Sequence, residues 1–177
     1  MKVTILIGPI CTGKTTYINQ QSFDYAVSSD NIVDQVCQES GISYDDFFNL
    51  DFNHQLRRNQ RNKFNESIRV SKSYKNIVWD LTNLTRNERA RAMKNYKGAT
   101  FEAVEFKFKG NESKILEISK ERGMLTGKVI PDEVVKNMFN KFEHASKSEG
   151  FTAITRMNMI DAIEVDAIAT RLIKLSQ

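Results

Sequence analysis

Apolar residues follow two periods along this chain. Lys2–Ile7 (KVTILI) and Asn76–Trp79 (NIVW) are short β-branched runs that read as buried strands, because a parallel strand covered on both faces shows no polar alternation. A further short strand is predicted over Asp24–Ser29, an alternating one over Ala99–Phe108 and a last one near Phe151–Thr155. Between them the spacing turns helical: Lys14–Gln21, Asn31–Glu39 closed by Gly41, Tyr44–Leu50, Asn53–Ser71 and Arg86–Tyr96. The same reading gives helices over Asn111–Arg122, from Pro131 to about His144, and near Asp166–Leu175. Strands alternating with helices imply an α/β fold, a parallel sheet with helices on both faces, and residues 1–177 read as one domain without repeats or linkers.

Composition narrows the class. Leu, Ile, Val and Phe make up 47 of 177 residues, above the ~20% below which chains tend to stay disordered. No run approaches the ~18 apolar residues of a membrane span, and the N-terminal apolar stretch runs into a glycine loop rather than a cleavage site. Two cysteines, Cys11 and Cys37, are too few for a disulfide scaffold, so a reducing, cytoplasmic setting and no membrane partner are expected. The net charge of +4 is unevenly spread: residues 1–50 carry two bases and six acids, and residues 51–100 carry twelve bases and four acids. A basic block of that kind is either the footprint of a polyanion or a solvated helical face.

One motif decides the chemistry. Gly8-Pro9-Ile10-Cys11-Thr12-Gly13-Lys14-Thr15 fits G-x-x-x-x-G-K-[ST], the phosphate-binding loop, and it lies between a predicted buried strand and a predicted helix. The glycines let backbone N–H groups fold around the β-phosphate, and the helix opening at Lys14 aims its positive end at the same anion. Lys14 would stand between the β- and γ-phosphates of ATP, the Thr15 hydroxyl would ligate Mg²⁺, and Thr16 would offer a hydroxyl to the α-phosphate. Cys11 occupies a variable position and reads as a small loop filler.

Three further features follow strand ends, where α/β sheets place ligands. Asp30 follows the second strand, where a carboxylate can take a proton from an attacking hydroxyl; Ser28-Ser29-Asp30-Asn31 is also a helix start, and the two roles are compatible. Asp80 ends the strand Asn76–Trp79 and would orient Mg²⁺-bound water or a substrate-side arginine, while Thr82 and Asn83 would contact substrate or cap the next helix. Arg122 precedes the segment Gly123–Pro131, which reads as a lid (about 120–131) pivoting on Gly123 and Gly127; the alternative is a helix end with Gly123 just past it.

This ordered set resembles the P-loop 5′-hydroxyl polynucleotide kinases, over nearly the whole chain to about His144. The matching segments are Gly8–Thr15, Ser28–Asn31, Thr82-Asn83-Leu84 with Glu88-Arg89, and Lys120-Glu121-Arg122-Gly123 followed by Val129-Ile130-Pro131 and Val134–Met138. The resemblance implies a nucleoside-kinase-like P-loop NTPase fold with a helical lid. It also implies Lys14 and Thr15 on ATP·Mg, Asp30 as general base and Arg122 as lid arginine. Two departures stand out. The family's substrate-side arginine three residues after the base is Val33 here, and Asp80 sits one residue further from Thr82-Asn83 than in the family. The sequence holds no Asp-x-Asp-x-Thr phosphatase signature, so a 3′-phosphatase half is expected to be absent.

The acceptor is read from the basic block, a helical insertion at about 51–75. Arg57, Arg58 and Arg61, with Lys63, Arg69, Lys72 and Lys75, would hold a phosphate backbone, and the interleaved Phe52, Phe64 and Tyr74 either stack bases or belong to the core. His54 and His144 have no partner at metal-ligand spacing. The leading expectation is transfer of the ATP γ-phosphate to a 5′-hydroxyl of DNA or RNA. Alternatives are a hydroxymethylated base of phage DNA, a nucleoside, sugar or antibiotic acceptor, and a nucleotide-dependent binding module without turnover.

Overall fold

The computed structural model describes residues 1–158, so the helix expected near residues 166–175 lies outside them. Five strands, β1 (Lys2–Ile7), β2 (Tyr25–Ser28), β3 (Asn76–Asp80), β4 (Thr100–Phe106) and β5 (Phe151–Met157), form one parallel sheet in the order β2-β3-β1-β4-β5. The helices are α1 (Lys14–Asn19), α2 (Ser29–Ser40), α3 (Tyr44–Asn49), α4 (Gln55–Ser71), α5 (Arg86–Lys94), α6 (Glu112–Thr126) and α7 (Asp132–Asn140). A short 3₁₀ turn, Lys147–Glu149, precedes β5.

Alternation along β1 explains the two layers. Val3, Ile5 and Ile7 join Val27, Ile77 and Trp79 on one face, where Phe64 and Ile68 of α4 and Ala92 of α5 cover them. Leu6, with Val78, Val104 and Phe106, faces the opposite way onto Tyr17 and Ile18 of α1. Each such side chain removed from water is worth ~1.5–3 kcal/mol, so the central strand is firmly anchored from both faces. A third cluster, Val33, Val36, Cys37 and Phe47, fastens α3 to α2. Because every strand is parallel, the segments following β1, β2 and β3 emerge at one edge of the sheet.

Local chemistry sets the helix ends, and it corrects two expectations. Ser28 caps α2 by accepting from Asn31 N, so Asp30 lies inside the first helical turn rather than ahead of it. The stop expected at Arg122 does not occur. Gly123 stays within α6, where a Cβ would stand 3.3 Å from the Val129 Cα, so the glycine makes room for the returning loop instead of acting as a pivot. The helix ends at Gly127, in the left-handed region at φ 73°, whose N–H closes on Gly123 O. The expected lid of 120–131 is therefore the last turns of α6 plus a short loop into α7.

One side chain ties the carboxyl-terminal part to the sheet. Arg89 has no solvent exposure; it grips the Glu149 carboxylate through Nε and Nη2 and donates through Nη1 to the carbonyls of Asn83, Leu84 and Glu143. Removing one partner of a buried pair strands the other, at a cost of ~3–5 kcal/mol. Arg89→Ala is expected to lower the unfolding free energy by about that amount in denaturant titration, and Arg89→Lys to recover only part of it, since an ammonium lacks the planar fork.

Candidate active site

The loop between β1 and α1 is built as phosphate loops must be. Cys11 (φ 56°) and Gly13 (φ 93°) take left-handed conformations, and the Thr12 hydroxyl closes the turn on Pro9 O at 2.9 Å. A Cβ at Gly8 would come within 3.0 Å of both the Phe106 Cβ and Thr12 Oγ1, so only glycine leaves the loop seated against the sheet. Gly8 N–H donates to Thr82 O (2.9 Å), which registers the loop on the segment after β3. Ile10 is half-buried against Phe108 and Ile115 of the lid side, Thr15 is exposed on the first turn of α1 and Thr16 is half-buried beside it.

Lys14 lies at the centre. Its ammonium donates to Gly8 O (3.0 Å) and to Pro9 O, folded back on its own loop. Burial pushes its pKa down to about 8, against the opposing pull of Asp80 and the smaller pull of Asp30; Arg122 lowers it further. Burial likewise raises the Asp80 carboxyl above its ordinary value, opposed first by the Lys14 charge and then by a hydrogen bond from Ser28. Burial raises the Cys11 thiol pKa and the Arg122 charge is the main effect opposing it, so the guanidinium stands close to the phosphate loop. Lys14, Asp80, Asp30 and Arg122 therefore share one electrostatic neighbourhood at the carboxyl edge of the sheet.

Beyond Lys14, Asp30 opens a second compartment. A groove of about 250 Å³ between α2, α3 and α4 is lined by Asp30, Val33, Tyr44, Phe48, Phe52 and both Arg57 and Arg61. The Arg57 guanidinium stacks on Phe47 (4.9 Å) and Phe48 (5.2 Å), and that of Arg61 on Phe52 (4.2 Å). Phe48 and Phe52 remain 51% and 69% exposed, too much for core residues. The Tyr44 hydroxyl donates to Asp30 Oδ1 at 2.8 Å, and Lys128, on the loop between α6 and α7, donates to Asp30 Oδ2 at 3.1 Å and to Asp34.

Other expected site residues fall elsewhere. Asn83 is 3% exposed and held at φ 47°; its amide donates to Leu6 O and Leu81 O and accepts from the Trp79 indole, so it locks the loop after β3 and faces no substrate. Thr82 contributes a carbonyl to the phosphate loop. Arg58, Lys72 and Lys75 are exposed outside the groove, and Lys63 is paired with Glu39 and Arg69 with Glu66, so Arg57 and Arg61 are the members of the basic block that line it. Phe64 packs on Trp79 and Tyr74 on Tyr25, whereas the exposed Phe52 ring carries only the Arg61 guanidinium among the ring and cation contacts of the described residues. Tyr44, Phe48, Asp34 and Lys128 carry no local motif; only the apolar stripe of α3 and the glycine before Lys128 hint at them.

Comparison with known proteins places this geometry. The sequence profile of the family described as AAA domain matches residues 3–145. A gluconokinase from Sinorhizobium meliloti 1021 shares 14% identity over 99% of this chain and 98% of its own, with a TM-score of 0.45. A fungal RNA kinase shares 15% identity over 89% of this chain and 74% of its own, with a TM-score of 0.48. Curated protein sequences give no match. Among the described residues, no helix is long and apolar enough to cross a membrane.

A cation held near a pKa of 8 gives up its proton within the working range of most assays. ATP binding is expected to weaken as pH rises through about 8, where Lys14 becomes neutral, and Asp80→Asn to move that midpoint lower because it removes the charge that favours the ammonium. Calorimetric titration of ATP from neutral to alkaline pH measures both.

Proposed function

Since the chain belongs to the AAA domain family and presents a phosphate loop on a P-loop kinase-like sheet, we propose that it is an ATP-dependent kinase that phosphorylates a hydroxyl of a nucleic acid, the 5′-hydroxyl of DNA or RNA. The observation that carries this reading is the shared groove: the carboxylate of Asp30 and the guanidiniums of Arg57 and Arg61 line one space, flanked by exposed rings. A carboxylate alone suits any hydroxyl acceptor. Two guanidiniums beside it suit an acceptor that carries phosphodiester charge, and Phe48 and Phe52 suit one with bases to stack.

In this reading the loop amides and Lys14 hold the β- and γ-phosphates, and Arg122 faces them from the lid. The donor set fits Mg²⁺. Among the described residues no group of three His, Cys, Asp or Glu is placed to hold a metal, and a hydroxyl (Thr15) with one carboxylate (Asp80) matches an ion that keeps waters and nucleotide oxygens as its other ligands. Bound there, the ion would neutralise phosphate charge. The acceptor hydroxyl lies in the groove against Asp30. Its oxygen forms a bond to the γ-phosphorus, the bond from that phosphorus to the β–γ bridging oxygen breaks, ADP leaves, and the hydroxyl proton passes to the Asp30 carboxylate. Arg57 and Arg61 occupy the acceptor side where the polynucleotide-kinase pattern has an arginine and this chain has Val33.

Label transfer from γ-labelled ATP to 5′-hydroxyl oligonucleotides tests the reading. Asp30→Asn is expected to reduce kcat by ~10²–10⁴-fold with nucleotide affinity retained. Arg57→Ala and Arg61→Ala are each expected to raise the acceptor KM and to flatten its salt dependence by ~0.7 in logarithmic slope per lost phosphate contact. Transfer to free sugars or nucleosides but not to oligonucleotides, at a rate indifferent to salt, would overturn the nucleic-acid acceptor.

A further inference from the structure

Both carboxylate oxygens of Asp30 carry a hydrogen bond from another side chain, and the two donors differ in kind. Tyr44 is fixed: its ring packs on Phe48 at 4.8 Å, and burial, reinforced by the Asp30 charge, drives its hydroxyl pKa far up, so it stays a donor. Lys128 is not fixed in that way. It stands on the three-residue stretch between the left-handed Gly127 and Pro131, extends over the Tyr44 ring (5.1 Å), and bridges two carboxylates, Asp30 and Asp34, one helical turn apart on α2. The bridge is only part-exposed on the lysine side, and it joins the lid loop to the base-bearing helix.

An acceptor hydroxyl that is to hand its proton to Asp30 competes with these donors. Only Lys128 has somewhere else to go, because Asp34 retains its ammonium when Asp30 is released. Water is a weaker competitor: it brings no phosphate to Arg57 or Arg61 and no base to Phe52, so nothing else in the groove helps it displace the lysine. We propose that Lys128 is a specificity-determining lid residue that occupies Asp30 until a bound acceptor shifts it onto Asp34, and so keeps the γ-phosphate from being lost to hydrolysis. This rests on the reading of Asp30 as proton acceptor. The reaction withheld is attack of water on the γ-phosphorus, with cleavage of the bond to ADP and passage of the water proton to Asp30. The reaction admitted is the same displacement by the acceptor hydroxyl.

The test compares ADP release from Mg·ATP without acceptor and phosphate transfer to a 5′-hydroxyl oligonucleotide. Lys128→Met is expected to raise acceptor-free ADP release by about tenfold, the scale of one lost charge-assisted hydrogen bond, and to lower the acceptor KM. Lys128→Arg is expected to restore the wild-type ratio of hydrolysis to transfer. Asp34→Asn, which removes the alternative seat, is expected to raise the acceptor KM without raising hydrolysis, and the double variant with Lys128→Met to behave as Lys128→Met alone. Circular dichroism melts of each variant establish that it is folded. An unchanged ratio in Lys128→Met, or an Asp34→Asn effect that persists without the lysine, overturns the proposal even where transfer itself is robust. Increased ADP release in Lys128→Met with no transfer to any oligonucleotide supports the guard and overturns the acceptor assignment instead. Absence of both ADP release and transfer in every variant overturns the two together.

Discussion

The depth of one ammonium group sets the terms for its surroundings. Lys14 is folded against its own loop carbonyls, half-buried at the carboxyl edge of a parallel sheet. A charge in that position is costly unless something negative stands near, and the largest opposing charge is Asp80, delivered by the neighbouring strand. The pair is mutually dependent: each carries a pKa displaced by burial in the direction of neutrality, and each is drawn back toward charge by the other. Such a site is prepared for a polyanion, whose arrival supplies the negative charge that Asp80 only partly provides.

Parallel topology then explains why chemistry from distant positions meets. Gly8, Ser28 and Asp80 end adjacent or next-adjacent strands, so their following segments share an edge without any long-range design beyond strand order. The Ser28 cap directs Asp30 from the first turn of α2, and the third apolar cluster props α3 so that Tyr44 can reach it. From the opposite side, α6 brings Arg122 to the phosphate loop, and the loop beyond it returns Lys128 to α2. The site is thus made by one rigid sheet edge and by a helix pair that overhangs it.

Local signals were sufficient for the strands, for the phosphate loop, and for the acids that follow strand ends, because period and turn chemistry act over a few residues. They also marked Arg57 and Arg61, but only as members of a basic stretch; that Lys63 and Arg69 are neutralised by Glu39 and Glu66 depends on packing. Asn83 and Thr82 were read as substrate contacts or caps of the next helix, whereas the left-handed turn at Asn83 sends its amide inward to the Trp79 indole and the Leu6 carbonyl. Gly123 was read as a lid pivot, with a helix stop as the alternative, since nothing in the sequence reveals that Val129 will pack against its bare Cα. Tyr44 and Lys128 were invisible for a plainer reason: they lie 14 and 98 residues from the carboxylate they touch. Arg89 was equally hidden, as its acceptors are carbonyls from four different residues and a carboxylate sixty positions away.

The strand that delivers the proposed base also borders the sheet. β2 has four residues and, among the described residues, pairs with β3 alone, so one row of its main-chain amides and carbonyls has no ladder partner there. A short border of this kind offers a foreign strand little to extend, and α2 and α4 flank it with a trough edged by Asn31, Gln35 and Asn62, whose amide side chains favour water over another β-ribbon. The molecule therefore keeps its reactive carboxylate at the rim of the sheet, within reach of a bulky acceptor, without leaving a long sticky border on which copies of itself would polymerise.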